Sequence, residues 1–323
     1  MTRYYRFFGL ERDPFLDTAD PYFYCELGAL RKAKERLAAS VDGSRGLTIV
    51  LGEPGTGKTS LCVALEQELL KDDRVLLGKI LDPTFAGDVE FLIAVGRVFG
   101  LALPPRSSAA LKNALKNFFF ETAVLEQRTL VLIIDEAQSL SDDNLEALRL
   151  LLNYHVPQRK LLNILLFGQS ELETKIAAKG NLADRVDGWI RLSRLEDSMA
   201  SAILDFRLAR AGLPAGQLLF TPEARSLLIR AAEGLPRRLT MLAHAAMEEA
   251  ADRASVLIHE DHVRTALRAR GLEPPILVAS EEAAISSGQS ATPHLDGAAA
   301  ATRTRRRSSG GFFARLFNRS TIR

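Results

Sequence analysis

The stretch GEPGTGKT, residues 52–59, follows the apolar run GLTIVL and opens the amphipathic run KTSLCVALEQELLK. It satisfies the phosphate-loop pattern GxxxxGK followed by Ser or Thr, whose glycines let backbone N–H groups turn inward around phosphates. In that pattern Lys58 reaches the β and γ phosphates, and the Thr59 hydroxyl ligates Mg²⁺ at a helix N-terminus. A plain strand-to-helix turn is the alternative, and the flanking patterns favour the nucleotide site. The predicted binding residues are Gly52, Glu53, Pro54, Gly55, Thr56, Gly57, Lys58, Thr59 and Ser60.

A second informative stretch, VLIIDEAQ at 131–138, is an apolar strand pattern that ends in two acids. In a phosphate-loop protein the first carboxylate at such a strand end holds Mg²⁺ through its water shell, and Asp135 occupies that position. Glu136 follows it, where a carboxylate can orient or deprotonate the attacking water. A solvated strand end is the alternative, and the nearby phosphate loop favours the catalytic interpretation.

The stretch LFGQSEL, residues 166–172, ends the next predicted strand with a polar side chain, Gln169. We expect Gln169 to contact the γ-phosphate or the attacking water. The stretch is not a nucleophile elbow, because GxSxG requires a second glycine and Leu172 stands there.

Arginines complete the predicted site, because nucleotide hydrolysis develops charge that a guanidinium stabilises, from the same chain or from a neighbouring subunit. Arg237, in EGLPRRL at a predicted helix start, is the candidate in cis. Arg185, in LADRV ahead of the last predicted strand, is the candidate in trans, with Arg191 and Arg194 as alternatives. For each of them a solvated surface charge remains the competing interpretation.

Apolar periodicity from about 45 to 195 alternates short and long runs, which is typical of a parallel sheet covered by helices. The predicted strands are 46–52, 74–81, 129–135, 163–168 and 189–195. Helical patterns follow at 197–211, 221–233, 235–253 and 259–270. Ser141 and Thr221 are predicted helix N-caps.

These patterns predict the domain organisation. Residues 1–44 form an N-terminal aromatic segment and a first helix that packs on the core of the phosphate-loop domain at 45–196. A small all-helical lid domain at 197–272 comes next. Residues 273–309, rich in Ala, Ser, Gly and Pro without a period, are expected to be a flexible linker to a disordered tail at 310–323.

Composition excludes several classes of protein. The two cysteines, Cys25 and Cys62, form no CxxC pair, so neither a disulfide framework nor a structural zinc site is indicated. The apolar stretches of the chain are too short for a membrane span, and the N-terminal segment is too charged for a signal peptide, so we expect a cytoplasmic protein. Seven arginines and no acids lie in 303–323, which leaves residues 1–302 at a net charge of −5 within a total of +2.

The C-terminal stretch GGFFARLFNRSTIR, 310–323, forms an amphipathic pattern when placed on a helix at 100° per residue. Phe312, Phe313, Leu316 and Phe317 share one side, and Arg315 and Arg319 lie on the other. This make-up is typical of an interfacial helix on an anionic membrane surface. A nucleic-acid-binding arm and a disordered end without function are the alternatives.

Taken together, the motifs resemble the AAA+ ATPases and, more narrowly, the ExeA-like (general secretion pathway protein A) ATPases of bacteria. The resemblance covers residues 4 to about 270. The stretches that carry it are FFGLERDPF, DPYFY, GEPGTGKTSL, VLIIDEAQSL, LEALRLLLNYHVPQRKLLNILLFGQSEL, LADRV, FRLARAG and FTPEARSLLIRAAEGLPRRLTMLAHAAMEEA.

The resemblance implies a role for each matching position. It implies Walker A at 52–59, Walker B at Asp135 with Glu136 catalytic, and sensor 1 at Gln169. It also implies sensor 2 at Arg237 and an arginine finger near Arg185. The aromatic N-terminal segment would pack beside the nucleotide base, and a strap over the core edge is the alternative.

For function, the resemblance implies a homo-oligomeric ATPase acting on the cytoplasmic side of a bacterial envelope machine for secretion, pilus assembly or exopolysaccharide export. Family members often carry a membrane span and a periplasmic region, and this chain has neither, so the tail is the expected contact with the inner membrane. A DNA-associated ATPase that regulates a transposase is the alternative. The acidic folded part and the lack of an appended helix-turn-helix argue against nucleic acid. A scaffold that binds ATP without hydrolysing it is disfavoured by the intact Lys58, Asp135 and Glu136.

Overall fold

The computed structural model describes residues 4–104, 107–157 and 159–273. Its strands are β1 (Leu47–Gly52), β2 (Val75–Ile80), β3 (Thr129–Ile134), β4 (His155–Val156), β5 (Arg159–Lys160), β6 (Leu162–Gly168) and β7 (Val186–Leu192). Five of them form one sheet in the order β2-β3-β6-β1-β7, with every neighbouring pair parallel. β4 and β5 form a separate antiparallel hairpin. The strand that feeds the phosphate loop, β1, therefore lies inside the sheet.

Both faces of this sheet are apolar, which explains why the strands form continuous hydrophobic runs. Along β1, Ile49 points into the core on one face and Val50 into the core on the other. Successive residues of β3 divide in the same way, with Leu132 on the first side and Ile133 on the second. Helices must cover both faces, so the fold is the α/β sandwich that the sequence predicted.

The helices occupy these bounds: α1 (Tyr4–Phe7), α2 (Gly28–Asp42), α3 (Lys58–Leu69), α4 (Asp88–Val98), α5 (Ser108–Phe120), α6 (Asp142–Leu151), α7 (Ser170–Ala177), α8 (Gly180–Ala183), α9 (Asp197–Arg210), α10 (Pro222–Ala232), α11 (Pro236–Asp252) and α12 (Glu260–Ala269). Both predicted N-caps are confirmed. The Ser141 hydroxyl accepts a hydrogen bond from the Asn144 N–H, and the Thr221 hydroxyl accepts one from the Ala224 N–H.

Strand positions agree with the sequence to within a residue or so, apart from the last one. The predicted strand 189–195 is wrong at both ends, because β7 runs from Val186 to Leu192. Asp187 and Gly188 interrupt the apolar run at its start; Val186 and Gly188 still pair along β1, and the register shift between them skips Asp187. At the other end the Leu195 N–H leaves the sheet and donates to the Gly234 carbonyl at 2.8 Å.

Helices α9 to α12 surround a hydrophobic core of their own and form the predicted helical lid. This core also takes side chains from the N-terminal segment, namely Tyr5, Phe8, Leu10, Phe15, Phe23 and Cys25. Of the region expected to pack on the sheet, 1–44, α2 does so through Leu37 and Val41, and Tyr24 just before it contacts the same core. Most of the aromatic side chains that precede α2 pack on the lid instead.

The predicted linker and tail, with Arg303, Arg305, Arg306, Arg307, Arg315, Arg319 and Arg323, lie outside the described residues, apart from Glu273. Within the ranges that the structure does describe, no helix has both the length and the apolar character that a membrane crossing requires.

Candidate nucleotide-binding site

The phosphate loop joins the end of β1 to the start of α3 and depends on three glycines. Gly55 and Gly57 have φ values of +83° and +96°, in the left-handed region that favours glycine. A Cβ at Gly52 would lie 2.5 Å from the Thr56 hydroxyl oxygen, so a side chain there would force Thr56 to move. The loop therefore has the backbone shape in which successive N–H groups form a concave anion site.

Lys58, the first residue of α3, is 6% exposed and folds back over the loop. Its Nζ donates to the carbonyl of Gly52 at 2.8 Å and to that of Glu53 at 3.1 Å. Burial lowers the pKa of this ammonium, and the nearby carboxylates of Glu136 and Asp135 oppose that effect. A phosphate that enters the loop would replace these two carbonyl contacts.

The pair Thr59 and Asp135 lies where a Mg²⁺ ion is expected. The Thr59 hydroxyl donates to Oδ2 of Asp135 at 3.3 Å, so two oxygen ligands from α3 and from the end of β3 already converge. Asp135 is only 4% exposed, and burial raises the pKa of its carboxyl group. A buried carboxylate beside a hydroxyl is the oxygen donor set that Mg²⁺ prefers. The residues present therefore fit the ion.

Beyond Asp135 the chain turns sharply, because Glu136 adopts a left-handed conformation with φ +50°. Its exposed carboxylate meets two amides: Gln138 Nε2 and Gln169 Nε2 both donate to Oε2, the second at 3.5 Å. Gln169 directly follows Gly168, the last residue of β6, and is the N-cap residue of α7. The ends of β3 and β6 thus bring Glu136 and Gln169 together at the edge where the phosphate loop lies.

Sequence reasoning missed Gln138, although it stands inside the quoted stretch VLIIDEAQ. Its side-chain oxygen accepts from the Gln169 N–H at 3.2 Å, so one amide joins two strand ends. The available signal was its position two residues after Glu136, in the middle of a short 3₁₀ turn over Ala137–Ser139.

A cavity of about 360 Å³ opens above the phosphate loop and is lined by the loop, the ends of β3 and β6, the lid and the N-terminal segment. The loop and the two strand ends form one wall, and the lid contributes Ile203, Arg207 and Arg237. The N-terminal segment lines the remainder with Leu16, Asp17, Thr18, Ala19, Asp20, Phe23, Tyr24 and Cys25. The N-terminal segment therefore lines the cavity, and its aromatic residues also pack in the lid core.

Arg237 lies at the first turn of α11, directly against the phosphate loop. Its backbone N–H donates to the Gly55 carbonyl at 3.3 Å. Its guanidinium faces the cavity, where Nη2 donates to Oδ2 of Asp17 at 3.0 Å, and this contact raises the pKa of the arginine. The residue predicted to act in cis is therefore within its own site and ion-paired to the N-terminal segment.

Arg194 and Arg191, the two alternatives for a residue acting in trans, are both engaged in cis. Arg194 donates to the Glu53 carboxylate of the phosphate loop at 2.7 Å and forms an ion pair with Glu233 of the lid at 3.5 Å. The Arg194 contact lowers the pKa of Glu53. Arg191 forms an ion pair with Glu173 of α7. These contacts leave Arg185 as the trans candidate.

Arg185 lies at the opposite edge of the sheet from the phosphate loop. It immediately precedes β7, whose Val186 pairs with Leu47 at the start of β1. Strand β1 has six residues that rise about 3.3 Å each, so its start, near Arg185, lies roughly 20 Å from its end at the phosphate loop. Arg185 borders a groove of about 480 Å³ that also carries Arg45, Lys160, Asp184 and Asp187, and its Nε is buried without a hydrogen-bond partner. It therefore cannot reach its own phosphate loop.

Comparison with known sequences gives one family and one relative. Residues 41–176 match the model of an AAA domain. General secretion pathway protein A of Aeromonas hydrophila is 30% identical over 275 residues, which are 83% of this chain and 49% of that protein. The chain therefore spans about half the length of this curated relative.

Two solved structures share the architecture. The ORC2 protein of Aeropyrum pernix, determined as ADPNP–ADP complexes, superposes with a TM-score of 0.61 at 19% identity, covering 80% of this chain and 71% of that one. The RuvB Holliday junction branch migration motor of Thermotoga maritima gives a TM-score of 0.51 at 16% identity, with 75% and 72% covered. At these identities the likeness shows the fold, a parallel sheet flanked by helices and followed by a helical lid.

Proposed function

Since the chain is an AAA+ protein that resembles the ExeA-like (general secretion pathway protein A) ATPases, we propose that it binds ATP with Mg²⁺ and hydrolyses it to ADP and phosphate. The observation that carries the proposal is the meeting of Lys58, the Thr59–Asp135 pair and Glu136 at one edge of the sheet. These four residues provide a phosphate ligand, two Mg²⁺ ligands and a base for water.

Binding begins with the phosphates. They enter the concave loop, and Lys58 exchanges the Gly52 and Glu53 carbonyls for β and γ oxygens. When bound, Mg²⁺ offsets the negative charge of these oxygens, and Thr59 with Asp135 would hold it. The adenosine then lies along residues 16–25 of the N-terminal segment.

Hydrolysis requires a water in line with the γ-phosphate. Glu136 orients this water and accepts its proton, while Gln169 hydrogen-bonds the water or a γ oxygen. Arg237, released from Asp17, turns to the γ-phosphate from the lid side. Closure of the lid over the nucleotide is thereby linked to the phosphate that is cleaved.

A second subunit completes this site. Arg185 is too far from its own phosphate loop, and its guanidinium forms no hydrogen bond or ion pair with the described residues. In a head-to-tail assembly it stabilises the charge that develops on the γ-phosphate of the neighbouring subunit. We therefore propose a homo-oligomer whose turnover depends on contact between subunits.

For the cellular role we propose work at a bacterial envelope machine, supported by the likeness to general secretion pathway protein A. Residues 303–323 would bind the cytoplasmic face of the inner membrane through their arginines and aromatic residues. Flotation with anionic liposomes, comparing the full chain with one shortened by residues 303–323, tests this role. Equal partitioning of the two forms would remove the membrane proposal.

The ATPase proposal is tested by Glu136→Gln. This variant retains the shape of the side chain but cannot accept a proton, so ATP binding should persist while turnover falls by about 100-fold or more. Binding is measured with a fluorescent ATP analogue and turnover by phosphate release. Wild-type turnover in this variant would contradict the assignment of the site.

A further inference from the structure

The Glu136 carboxylate has an unusual surrounding for a residue that must hold a water in place. Glu136 is exposed, it stands in a left-handed turn, and its side chain has three rotatable bonds. Both of its hydrogen bonds go to Oε2, and among the described residues none goes to Oε1. One oxygen is therefore restrained and the other is available to a water.

Gln138 provides the shorter of these two restraints, and it does so from outside the cavity. It is half-buried, and the residues that line the cavity include Glu136 and Gln169 but not Gln138. Any effect of Gln138 on the reaction must therefore pass through Glu136 or Gln169.

The amide of Gln138 is held in one orientation by its two partners. Its Nε2 faces a carboxylate oxygen, which only accepts, and its Oε1 faces the Gln169 N–H, which only donates. If the amide were flipped, its oxygen would face Oε2 of Glu136 and its NH₂ group would face the Gln169 N–H, and neither pair could form a hydrogen bond. Glutamate at this position would retain only the accepting half, and methionine would retain neither half.

The backbone beneath Gln138 is fixed independently of its side chain. Lys175, from α7, donates to the Gln138 carbonyl at 2.6 Å and to the Leu140 carbonyl at 3.0 Å. Helix α7 also lies close to the end of β6. A Cβ at Gly168 would lie 2.7 Å from Leu172 Cδ2 of α7 and 3.2 Å from Gln138 Oε1. The side chain can therefore be changed while the turn that carries it stays in place.

We propose that Gln138 is a positioning residue, which orients the Glu136 carboxylate toward the water and couples that orientation to Gln169. This inference rests on the proposed ATP hydrolysis and adds a residue to it. A water that is displaced by about 1 Å from its attack position loses about 100-fold in rate. Freeing Glu136 should therefore lower the rate of the chemical step and leave nucleotide binding unchanged.

The test uses two substitutions that separate the halves of the amide, Gln138→Met and Gln138→Glu. Gln138→Met should lower kcat by about 10-fold to 100-fold, with the KM and the Kd for a fluorescent ATP analogue within about two-fold of wild type. Gln138→Glu retains the contact with the Gln169 N–H but sets a second carboxylate against Glu136, so a loss of kcat equal to or larger than that of Gln138→Met assigns the effect to Glu136. A smaller loss in Gln138→Glu than in Gln138→Met would assign part of it to Gln169.

The matched control is Gln67→Met, an exposed glutamine at the far end of α3, which should turn over like wild type. Thermal unfolding checks that the Gln138 variants fold, because a folding defect would lower the unfolding midpoint together with kcat. Wild-type kcat in Gln138→Met, beside an inactive Glu136→Gln, would overturn the positioning role and leave the ATPase proposal standing. Wild-type kcat in both variants would overturn the proposed site itself.

Discussion

Nη2 of Arg237 donates to the Asp17 carboxylate at 3.0 Å, between residues separated by 220 positions in sequence. Both side chains are largely exposed, and both line the nucleotide cavity. The N-terminal segment thus holds the guanidinium that is expected to bind the γ-phosphate. With the function proposed above, ATP would compete with Asp17 for this group, and its affinity would depend on a residue that does not contact the phosphates.

Removing the Asp17 charge should therefore tighten ATP binding. Exposed ion pairs are worth at most about 1 kcal/mol, so we expect Asp17→Asn to lower the Kd for ATP by about two-fold to five-fold. Titration with a fluorescent ATP analogue measures this. Asp73→Asn removes the same charge at an exposed site in the turn after α3 and should leave the Kd unchanged. Weaker binding in Asp17→Asn would show that Asp17 contacts the nucleotide instead of competing with it.

A mixing experiment can assign the arginines to cis or trans. Arg185→Ala alone should lose at least about 100-fold in turnover, since arginine fingers contribute 10³ or more. Mixed with inactive Glu136→Gln subunits, it should regain activity, because its intact site then meets an intact Arg185 from the neighbour. Arg237→Ala mixed with Glu136→Gln should gain nothing, because each site retains its own defect. Phosphate release is the measurement, and no gain in the first mixture would contradict the trans role.

The buried Asp135 predicts a pH-dependent cost to stability in the nucleotide-free protein. Burial raises the pKa of its carboxyl group above its ordinary value of about 3.9, so the folded protein holds that proton more tightly than the unfolded chain does. The protonated Asp135 carboxyl group therefore contributes favourably to the free energy of unfolding at low pH, and this contribution is lost as the pH rises through the pKa of the folded protein. Asp135→Asn should therefore have a higher thermal midpoint than wild type at pH 7, and the difference should shrink toward pH 4. A constant difference would contradict this explanation.

Removal of Mg²⁺ tests the role of Asp135 as a metal ligand through the thermal midpoint of the protein with bound ATP. Mg²⁺ with ATP should raise the thermal midpoint of the wild-type protein, because a ligand that binds only the folded state stabilises it. In Asp135→Asn the further increment that Mg²⁺ adds to ATP alone should be largely lost. The comparison is made with and without EDTA, and an unchanged Mg²⁺ increment would exclude Asp135 as a metal ligand.

Gly234 is expected to be the least replaceable glycine of the lid. A Cβ there would lie 2.5 Å from the Leu195 carbonyl oxygen, and φ is +72°. Gly216 has a similar φ of +82° but open space around it. Gly216→Ala should therefore cost about 1 kcal/mol for the left-handed backbone alone, and Gly234→Ala about 1–3 kcal/mol more for the clash. Denaturant unfolding checks this, and equal costs would show that the contact with Leu195 relaxes freely.

The sequence was most informative where a feature depends on neighbouring residues. The phosphate loop requires a strand, a run of glycines and a helix start within a dozen positions, so its pattern can be read locally. Asp135 and Glu136 follow an apolar strand, and parallel strands end at a common edge, which is why their proximity to Lys58 could be predicted. The same edge brings Gln169 beside Glu136, whereas the sequence predicted only a contact with the γ-phosphate or the water.

Contacts between distant segments had no such signal. Arg194 and Glu53 are 141 residues apart, and only the course of the chain after β7 shows that they meet. From the sequence, Arg194 therefore stayed an alternative to Arg185 as the arginine that acts in trans. The N-terminal aromatic residues were similarly ambiguous, because hydrophobicity indicates that they are buried but not whether they pack on the sheet or on the lid.

That placement of Tyr5, Phe8, Phe15 and Phe23 affects how the protein can be made. A nascent chain emerges N-terminus first, yet the lid core that receives these aromatics includes Leu267, which is synthesised more than 240 residues later. Until then the aromatic segment has no folded surface to cover it, and closing so long a loop is slow. The sheet domain can fold before the N-terminal segment and the lid helices pack against each other. We therefore expect the nucleotide cavity, which needs both the N-terminal segment and the lid, to be completed late in folding, so that binding of ATP would report that these two parts have met.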